Sequence, residues 1–311
     1  MAALQKLLSF LLSKGNDTLW NVHHYLTLPM MTSSSLSQTD TTFYDKLEKL
    51  IPEARELLNN YIGLSEDKHL AHVLKVRDRA WKVCPYSCVG TFGFTSPSIQ
   101  VQPYYPTLLS RLENGDRCLD LGCGLGQNVR KIVLDRGPSP RVFGSDLSPD
   151  LIDCGYDYFL DKASLESQFF TGDLLSDNDS NYKKIEGTFD VIFATCLYHL
   201  WSWDVQLKAS IATVKLLKPE AGAVLFGWQV GASPAKEITR NLGKTRAEHK
   251  TMFRHDEASL RELWSVVGER TGSKWIVEAK NELPSWIPVE YEGPLKGAKT
   301  ANIITFTITR V

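Results

Sequence analysis

Hydrophobic and polar positions follow two different periods along the chain. In residues 43–83, apolar side chains recur at helical spacing, for example at Leu47, Leu50 and Ile51, and this spacing predicts helices. Residues 84–106 are rich in Gly and Pro, which predicts loops and turns. These two stretches together are expected to form a helical cap, distinct in pattern from the part that follows.

Beyond residue 107, short apolar runs alternate with amphipathic stretches. The runs predict strands at residues 117–121, 141–146, 168–173, 189–195, 223–228, 275–279 and 303–309. The amphipathic stretches predict helices at residues 128–135, 149–160, 204–217 and 256–269. Such alternation is typical of an α/β fold with a mostly parallel sheet and helices on both faces. No helix separates the last two strands, so they are expected to form an antiparallel hairpin at one side of a seven-stranded sheet.

A glycine-rich turn joins the first predicted strand to the helix after it, with the sequence Asp120-Leu121-Gly122-Cys123-Gly124-Leu125-Gly126. Glycine lets the chain bend sharply and lets a ligand lie against bare backbone. A dinucleotide-binding turn requires Gly-x-Gly-x-x-Gly, but Gln127 occupies its third glycine position. Asp120 can instead receive the amino group of a methionine moiety, which predicts S-adenosylmethionine (SAM). A tight turn without a ligand is the alternative. The residues expected to contact SAM here are Asp120, Gly122, Gly124, Leu125 and Gly126.

Two further acids stand at the ends of the next two strands. Asp146, 20 residues beyond Gly126, can accept hydrogen bonds from both hydroxyls of a ribose, with Leu147 beside it. Asp173 can accept from an adenine amino group while Leu174 packs on the ring. A helix cap for Asp146 and a turn for Asp173 are the alternatives. All three acids lie at carboxyl ends of strands, where open α/β sheets bind ligands.

The region after the fourth strand and the cap supply candidates for a second substrate. His199 follows the fourth strand and is a candidate base or hydrogen-bond donor, with a packing or capping role as the alternative. Several aromatic side chains are expected to line a substrate pocket, although aromatic residues also pack in cores. These residues are Trp81, Tyr86, Tyr104, Tyr198 and Trp201.

Residues 231–255 carry an unusual density of basic side chains. The basic residues are Lys236, Arg240, Lys244, Arg246, Lys250 and Arg254. They are candidates to hold an anionic group of a substrate, and the solvated face of a basic helix is the alternative. His255, at the end of this segment, is the second candidate base.

The composition narrows the classes of partner. The chain is 43% hydrophobic and 23% charged with a net charge of −1, typical of a soluble globular protein. It has neither a concentrated basic face for nucleic acid nor an apolar run long enough to cross a membrane. The six cysteines fit no metal-ligand spacing, so no metal is predicted and the thiols are expected to be reduced. A cytoplasmic protein that acts on a small molecule, as a monomer or homodimer, is expected.

The first 42 residues differ from the rest and are interpreted as an atypical N-terminal extension. Their short apolar start is interrupted by Lys6 and no small-residue cleavage site follows, which disfavours a signal peptide. A start at Met30 is a further hypothesis, which a native tryptic peptide from residues 16–29 would exclude. The predicted domains are therefore the extension at 1–42, a cap at 43–106 and a SAM-binding domain at 107–311.

The glycine turn resembles that of class I SAM-dependent methyltransferases. A closer resemblance is to a group of fungal secondary-metabolite methyltransferases, and it covers residues 43–311. The matching segments are AHVLKVRDRAW at 71–81, PYSCVG at 85–90, FGF at 92–94 and DLGCGLGQ at 120–127. The group includes enzymes of austinol- and terretonin-type meroterpenoid pathways, which esterify a carboxylic acid on a farnesylated aromatic polyketide.

The resemblance implies a Rossmann-like methyltransferase fold with an N-terminal helical lid. It implies SAM binding at Gly124, Leu125, Asp146, Leu147, Asp173 and Leu174. It also implies O-methylation of a meroterpenoid or polyketide, as a carboxyl ester. A carboxylate is ionised near pH 7 and needs no base, whereas a phenol, with a pKa of about 10, gains from one. Phenol methylation with His199 or His255 as base therefore remains an alternative, as do SAM-dependent cyclase-like chemistry, a nicotinamide oxidoreductase and a non-catalytic binding module.

Overall fold

A computed structural model describes residues 43–239, 251–282 and 301–311. The predictions for the N-terminal extension, and those for Arg240, Lys244, Arg246 and Lys250, lie outside these residues. The strands are β1 Cys118–Leu121, β2 Val142–Asp146, β3 Gln168–Thr171, β4 Val191–Thr195, β5 Val224–Ala232, β6 Lys236–Thr239, β7 Thr251–Arg254, β8 Trp275–Glu282 and β9 Ala301–Arg310. The helices are α1 Pro52–Glu56, α2 Glu66–Val83, α3 Ser87–Gly90, α4 Tyr105–Glu113, α5 Gln127–Arg136, α6 Pro149–Phe159, α7 Ser180–Lys184, α8 Trp203–Leu216 and α9 Glu257–Thr271.

Seven strands form one sheet in the order β3-β2-β1-β4-β5-β9-β8. The pairs from β3 through β5 are parallel, and β9 runs antiparallel to both β5 and β8. This confirms the predicted Rossmann-like sheet with its antiparallel C-terminal hairpin. The strand order reverses between β1 and β4, and at such a point the carboxyl ends of the strands leave a crevice for ligands.

The central strands are apolar because both faces of the sheet are covered. In β4, Val191 and Phe193 pack on one face together with α4 and α5. Ile192 and Ala194 pack on the other face, against α8 and α9. Alternate residues of a strand point to opposite faces, so continuous apolar runs are what a sheet buried on both sides requires.

The N-terminal helical segment forms a cap that packs against helix α6. Its core joins apolar side chains of α1, α2 and a π-helical turn, Leu57–Tyr61, to residues of α6. His72 Nε2 lies 2.8 Å from the backbone oxygen of Tyr158 in α6. The predicted helical lid is thus confirmed, while the proposed division into separate domains stays a prediction.

Two parts of the structure differ from the sequence expectations. The stretch 84–106 is predicted to be loop, but helix α4 begins within it, at Tyr105. Pro106 lies in the first turn of α4, where its missing N–H is tolerated. The ends of the basic segment form an antiparallel pair, β6 with β7, so a basic helix is wrong for those residues. Within the described ranges, no helix combines the length and apolar character needed to span a bilayer.

Candidate active site

The glycine turn connects β1 to α5 at the reversal of strand order. Gly124 and Gly126 have φ values of 56° and 73°, which glycine adopts without a Cβ clash. A Cβ on Gly126 would lie 2.4 Å from Arg130 Nη1, so the packing beneath the turn also requires glycine. A Cβ on Gly124 would meet no atom within 4 Å. The turn is therefore closely packed underneath and open at Gly124, where a ligand can lie against the backbone.

Asp120 is buried in β1, and its Oδ2 has no hydrogen-bond partner among the described residues. Burial raises the pKa of this carboxyl to about 7; a hydrogen bond with Asn128 opposes the shift, and the charge of Asp146 adds to it. A buried acceptor without a partner is costly. An ammonium group placed at Oδ2 would satisfy it and favour the ionised carboxylate.

Asp146 ends β2 and faces the glycine turn. Its Oδ2 accepts from the Gly124 N–H and its Oδ1 from the Ser148 N–H, each at 2.9 Å. Burial raises its pKa, and these backbone hydrogen bonds oppose that shift. An ionised carboxylate offers about four lone pairs, so two acceptor positions remain for the hydroxyls of a ribose. Leu147, the next residue, is 65% exposed. It therefore offers an accessible apolar surface on which a planar ring could pack.

Asp173 follows β3 and takes part in a turn at the carboxyl end of that strand. Its Oδ1 accepts from the Leu175 N–H at 2.9 Å, and its own N–H donates to Asp179 Oδ2 at 3.0 Å. Leu174 is half-buried against the core. The turn role considered from the sequence is therefore present, and adenine recognition by Asp173 and Leu174 stays a prediction.

These groups fit SAM at the carboxyl ends of β1, β2 and β3. An unpartnered buried carboxylate oxygen suits the amino group, the open backbone at Gly124 suits close approach, and Asp146 retains acceptor capacity for a ribose. The glycine turn, Asp120 and Asp146 would hold SAM, whose sulfonium supplies a methyl group that a nucleophile can displace.

The turn after β4 lies against the glycine turn and continues the crevice. Leu197 Cδ1 would be 3.0 Å from a Cβ on Gly122, so the two turns touch. Cys196 has φ 49°. Burial raises the pKa of its thiol, the Cys88 thiol raises it further, and the Arg254 guanidinium opposes the shift. These electrostatic effects place Cys88 of the cap and Arg254 of β7 near the turn after β4.

Cys88 of α3 lies within electrostatic range of Asp146. Its side chain reaches solvent. The surrounding protein raises the pKa of the thiol to about 11, and the charge of Asp146 contributes to the shift. Helix α3 therefore lies toward the end of β2 that carries Asp146.

The two candidate bases occupy enclosed positions. His199 is buried and its Nδ1 accepts from the Val230 N–H at 3.4 Å. His255 has no exposed surface, and its Nδ1 lies 3.0 Å from Ser259 Oγ. Burial lowers the pKa of His255 to about 4. An imidazole with that pKa is neutral at pH 7 and is a weak proton acceptor.

The aromatic candidates are distributed over the molecule. Tyr198 is buried and shares a hydrogen bond with Thr213 at 2.7 Å, as a core side chain does, and Trp201 packs against that core with its ring 6.3 Å from Tyr198. Tyr104 packs on Phe226 of the sheet.

The two cap aromatics differ in exposure. Trp81 is buried in the core of the cap, whereas Tyr86 is 43% exposed. A role in binding substrate stays a prediction for all five aromatic candidates, and Tyr86 has the largest accessible surface among them.

Three residues that the structure brings to the site had no predicted role. Asn128 and Arg130 lie outside the motifs, and Cys88 lies in the PYSCVG segment, which assigns it none. Arg130 does have a signal, because it lies among buried apolar residues of α5 such as Val129 and Ile132. A charge within an apolar helix face indicates a buried ion pair.

Comparison with known proteins gives two matches to family models. Residues 43–95 match the model of a meroterpenoid methyltransferase N-terminal domain. Residues 118–220 match the model of a methyltransferase domain. The first match corresponds to the cap and the second spans the glycine turn and all three acids.

Several fungal methyltransferases are similar over most of the chain. The O-methyltransferase atr3 of Stereocaulon alpinum is 38% identical over 74% of this chain and 66% of its own length. The Asnovolin E/Chermesin D methyltransferase nvfJ of Aspergillus novofumigatus is 34% identical over 81% of this chain and 89% of its own length. The methyltransferase adrK of Penicillium roqueforti is 33% identical over 75% and 82%, respectively. The chain belongs to this family of methyltransferases, and it is a SAM-dependent enzyme.

Proposed function

We propose that this enzyme transfers the methyl group of SAM to a carboxylate of a small secondary metabolite of the meroterpenoid or polyketide class, forming a methyl ester. The observation that carries the proposal is the position of Arg254. Arg254 is 8% exposed, and its charge acts on Cys196 in the turn after β4, which itself touches the glycine turn. A buried cation on this side of the crevice suits an anionic acceptor.

The backbone around Arg254 supports this position. The Phe253 N–H donates to the backbone oxygen of Trp201 at 2.8 Å, so β7 runs beside the segment after β4. The Gln206 side chain donates to the Phe253 oxygen at 2.8 Å and to the Trp201 oxygen at 2.9 Å. Because one buried amide holds both segments, the backbone next to Arg254 is fixed relative to Trp201. A planar guanidinium can bind a carboxylate through two parallel hydrogen bonds.

The enclosed histidines also favour a carboxylate over a phenol. A phenol, with a pKa of about 10, needs a base at the point of transfer. His255 has no exposed surface and a pKa near 4, and Nδ1 of His199 faces a backbone N–H. A carboxylate is already ionised and needs only to be positioned. Phenol methylation with one of these histidines is the second candidate, and the O-methyltransferase name of the relative atr3 fits transfer to either kind of oxygen.

The chain's own groups would then act by positioning. Asp120 holds the amino group of SAM and Asp146 holds its ribose at the glycine turn, and Arg254 holds the carboxylate so that one oxygen lies in line with the methyl carbon and sulfur. Most of the rate of such a displacement comes from this alignment.

The experiment uses the full chain, methyl-labelled SAM and a pair of farnesylated aromatic probes. One probe carries a carboxyl and a phenol group, and its matched control lacks only the carboxyl. We expect label and one additional CH₂ on the first probe alone. Mild alkali should release this label as methanol, because it hydrolyses an ester and leaves an aryl ether intact.

Each other outcome contradicts the proposal in a distinct way. Label that resists alkali, or methylation of the control probe, identifies phenol methylation. A product of unchanged mass identifies cyclase-like chemistry. Methyl transfer to neither probe, in a chain that binds SAM by calorimetry, contradicts this substrate class.

A further inference from the structure

A charged side chain that the reaction does not use lies directly beneath the glycine turn. Arg130 of α5 has no exposed surface. Its Nη1 donates to the backbone oxygen of Leu125 at 3.0 Å and to that of Gly126 at 3.4 Å. These carbonyl groups belong to the turn whose opposite side is open at Gly124. Arg130 therefore contacts the cofactor turn from behind.

The rest of the guanidinium is fully engaged. Its Nε and Nη2 donate to the two oxygens of Asp161 at 2.9 and 3.0 Å, a two-point ion pair that is itself buried. The rings of Tyr156, Phe159 and Phe169 surround the cation, with centroids 5.3, 4.8 and 4.7 Å from its Cζ. Two-point pairing and ring contacts fix both the position and the plane of a guanidinium.

The same network reaches the cap. Tyr61, in the π-helical turn, donates its hydroxyl to Asp161 Oδ2 at 2.8 Å. Next to Arg130, Lys131 Nζ contacts Glu56 Oε2 at 3.1 Å, so α5 is joined to the cap at two adjacent points. A chain of hydrogen bonds thus runs from Tyr61 through Asp161 and Arg130 to the glycine turn.

We propose that Arg130 is a positioning residue for SAM, which holds the glycine turn in its binding shape and, through Asp161 and Tyr61, couples that turn to the cap. It touches neither SAM nor the acceptor. It acts through the carbonyl groups of Leu125 and Gly126, and the Gly124 N–H on the other side of the turn orients Asp146. The inference concerns SAM binding and is independent of which acceptor is methylated.

The first test replaces the ion pair by apolar residues of similar size, Arg130→Met together with Asp161→Leu. Such replacement of a buried pair often preserves or increases stability, while it removes the hydrogen bonds to the turn. We expect a folded protein without SAM, because the removed charges offset the loss of partners for the Leu125 carbonyl and the Tyr61 hydroxyl. The SAM affinity by calorimetry should be lower by about tenfold or more, because hydrogen bonds to a charged group are lost. Amide exchange in residues 122–126 should become faster. Wild-type affinity in the folded double variant overturns the proposal.

A second variant tests the proposal if the first variant does not fold. Arg130→Lys keeps the charge, but one ammonium cannot bind both Asp161 oxygens and both carbonyl groups, so SAM affinity should still fall severalfold. Wild-type affinity and wild-type exchange in this variant overturn the proposal. Lys218→Met is the matched control, because it breaks the 2.5 Å ion pair with Asp190 away from the glycine turn. It should lower Tm and leave SAM affinity unchanged.

The coupling to the cap has its own measurement. SAM should slow amide exchange in residues 57–61 of the wild-type chain, and Tyr61→Phe should abolish that effect while exchange in the glycine turn still slows. If SAM leaves residues 57–61 unaffected in the wild type, or if Tyr61→Phe behaves like the wild type, the coupling is excluded.

Discussion

The cofactor side of the crevice and its acceptor side are assembled in different ways. The proposed cofactor side uses residues from three successive strand ends, within residues 120–175, and each acid lies in the last residues of its strand or just after them. The proposed acceptor side combines Cys88 of the cap, Cys196 of the turn after β4 and Arg254 of β7, which are far apart in sequence. The first side is specified by local motifs on a regular sheet, whereas the second depends on tertiary packing and is therefore free to change with the substrate.

The largest expected effect is on the cofactor side, at Gly124. Gly124→Val places a β-branched residue at φ 56° and fills the open space above the turn. Backbone strain of this kind costs about 1–3 kcal/mol, and the loss of space adds to it, so SAM affinity should fall by about a hundredfold or more. Calorimetry with SAM measures the effect.

Gly222→Val is the matched control for this change. Gly222 has φ 87° and would also have no atom within 4 Å of a Cβ, but it lies in the turn before β5, at the opposite end of the sheet. The variant should lose stability and retain SAM affinity. Equal losses of affinity in both variants would show that strain alone, and not occupation of a SAM site, explains the first result.

The next effect tests the acceptor side. Arg254→Met removes the guanidinium while keeping an apolar stem of similar length. Loss of a charged hydrogen-bond pair predicts a KM for the carboxylate probe that rises by about tenfold to a hundredfold, with SAM affinity changed little. Steady-state kinetics and calorimetry on the same preparation separate the two sides.

Lys236→Met is the control for Arg254. Lys236 is the register partner of Arg254 in the β6–β7 pair and carries the same charge, but it is exposed. Its replacement should change KM by less than about twofold, since exposed charges contribute little. A rise in KM as large as that of Arg254→Met would point to the net charge of the segment instead of one buried guanidinium.

The difference between the two sides also explains what the sequence could predict. The sheet follows from the alternation of apolar runs and amphipathic stretches, and the order of Asp120, Asp146 and Asp173 follows from the strands before them. The pairing of β6 with β7 was missed because a basic run has no strand period of its own. Arg130 and Cys88 could not be placed, because Arg130 pairs with Asp161, 31 positions away, and Cys88 is affected by the charge of Asp146, 58 positions away.

The third prediction concerns pH on the cofactor side. Burial raises the pKa of Asp120 from 3.8 to about 7, and an ammonium group binds the ionised form. SAM affinity should therefore be constant above that pKa and fall as pH decreases below it, by up to about tenfold per pH unit. Calorimetry between about pH 5 and 7, below the pKa of about 8 of an α-amino group, isolates this ionisation.

The variant Asp120→Asn tests whether the pH dependence of SAM affinity comes from Asp120. It should bind SAM more weakly, and its affinity should vary less with pH, since the carboxyl with the pKa of about 7 is absent. If the SAM affinity of this variant depends on pH as strongly as that of the wild type, another group is responsible for the pH dependence. A wild-type affinity that does not change over this range would place the amino group elsewhere.

The smallest expected effect on catalysis concerns His255, and it decides how the acceptor side works. If the acceptor is a carboxylate, His255→Gln should change kcat by less than about twofold, because no base is required.

The same variant should change how the stability of the protein depends on acid pH. The folded pKa of about 4 lies below the unfolded value of 6.5, so the unfolded chain binds more protons between these values. Wild-type stability should therefore fall as pH decreases from about 6.5 to 4, by up to about 1.4 kcal/mol per pH unit. Urea unfolding at several pH values should show a weaker dependence in His255→Gln. A loss of kcat by orders of magnitude with unchanged acid stability would instead make His255 a base and the acceptor a phenol.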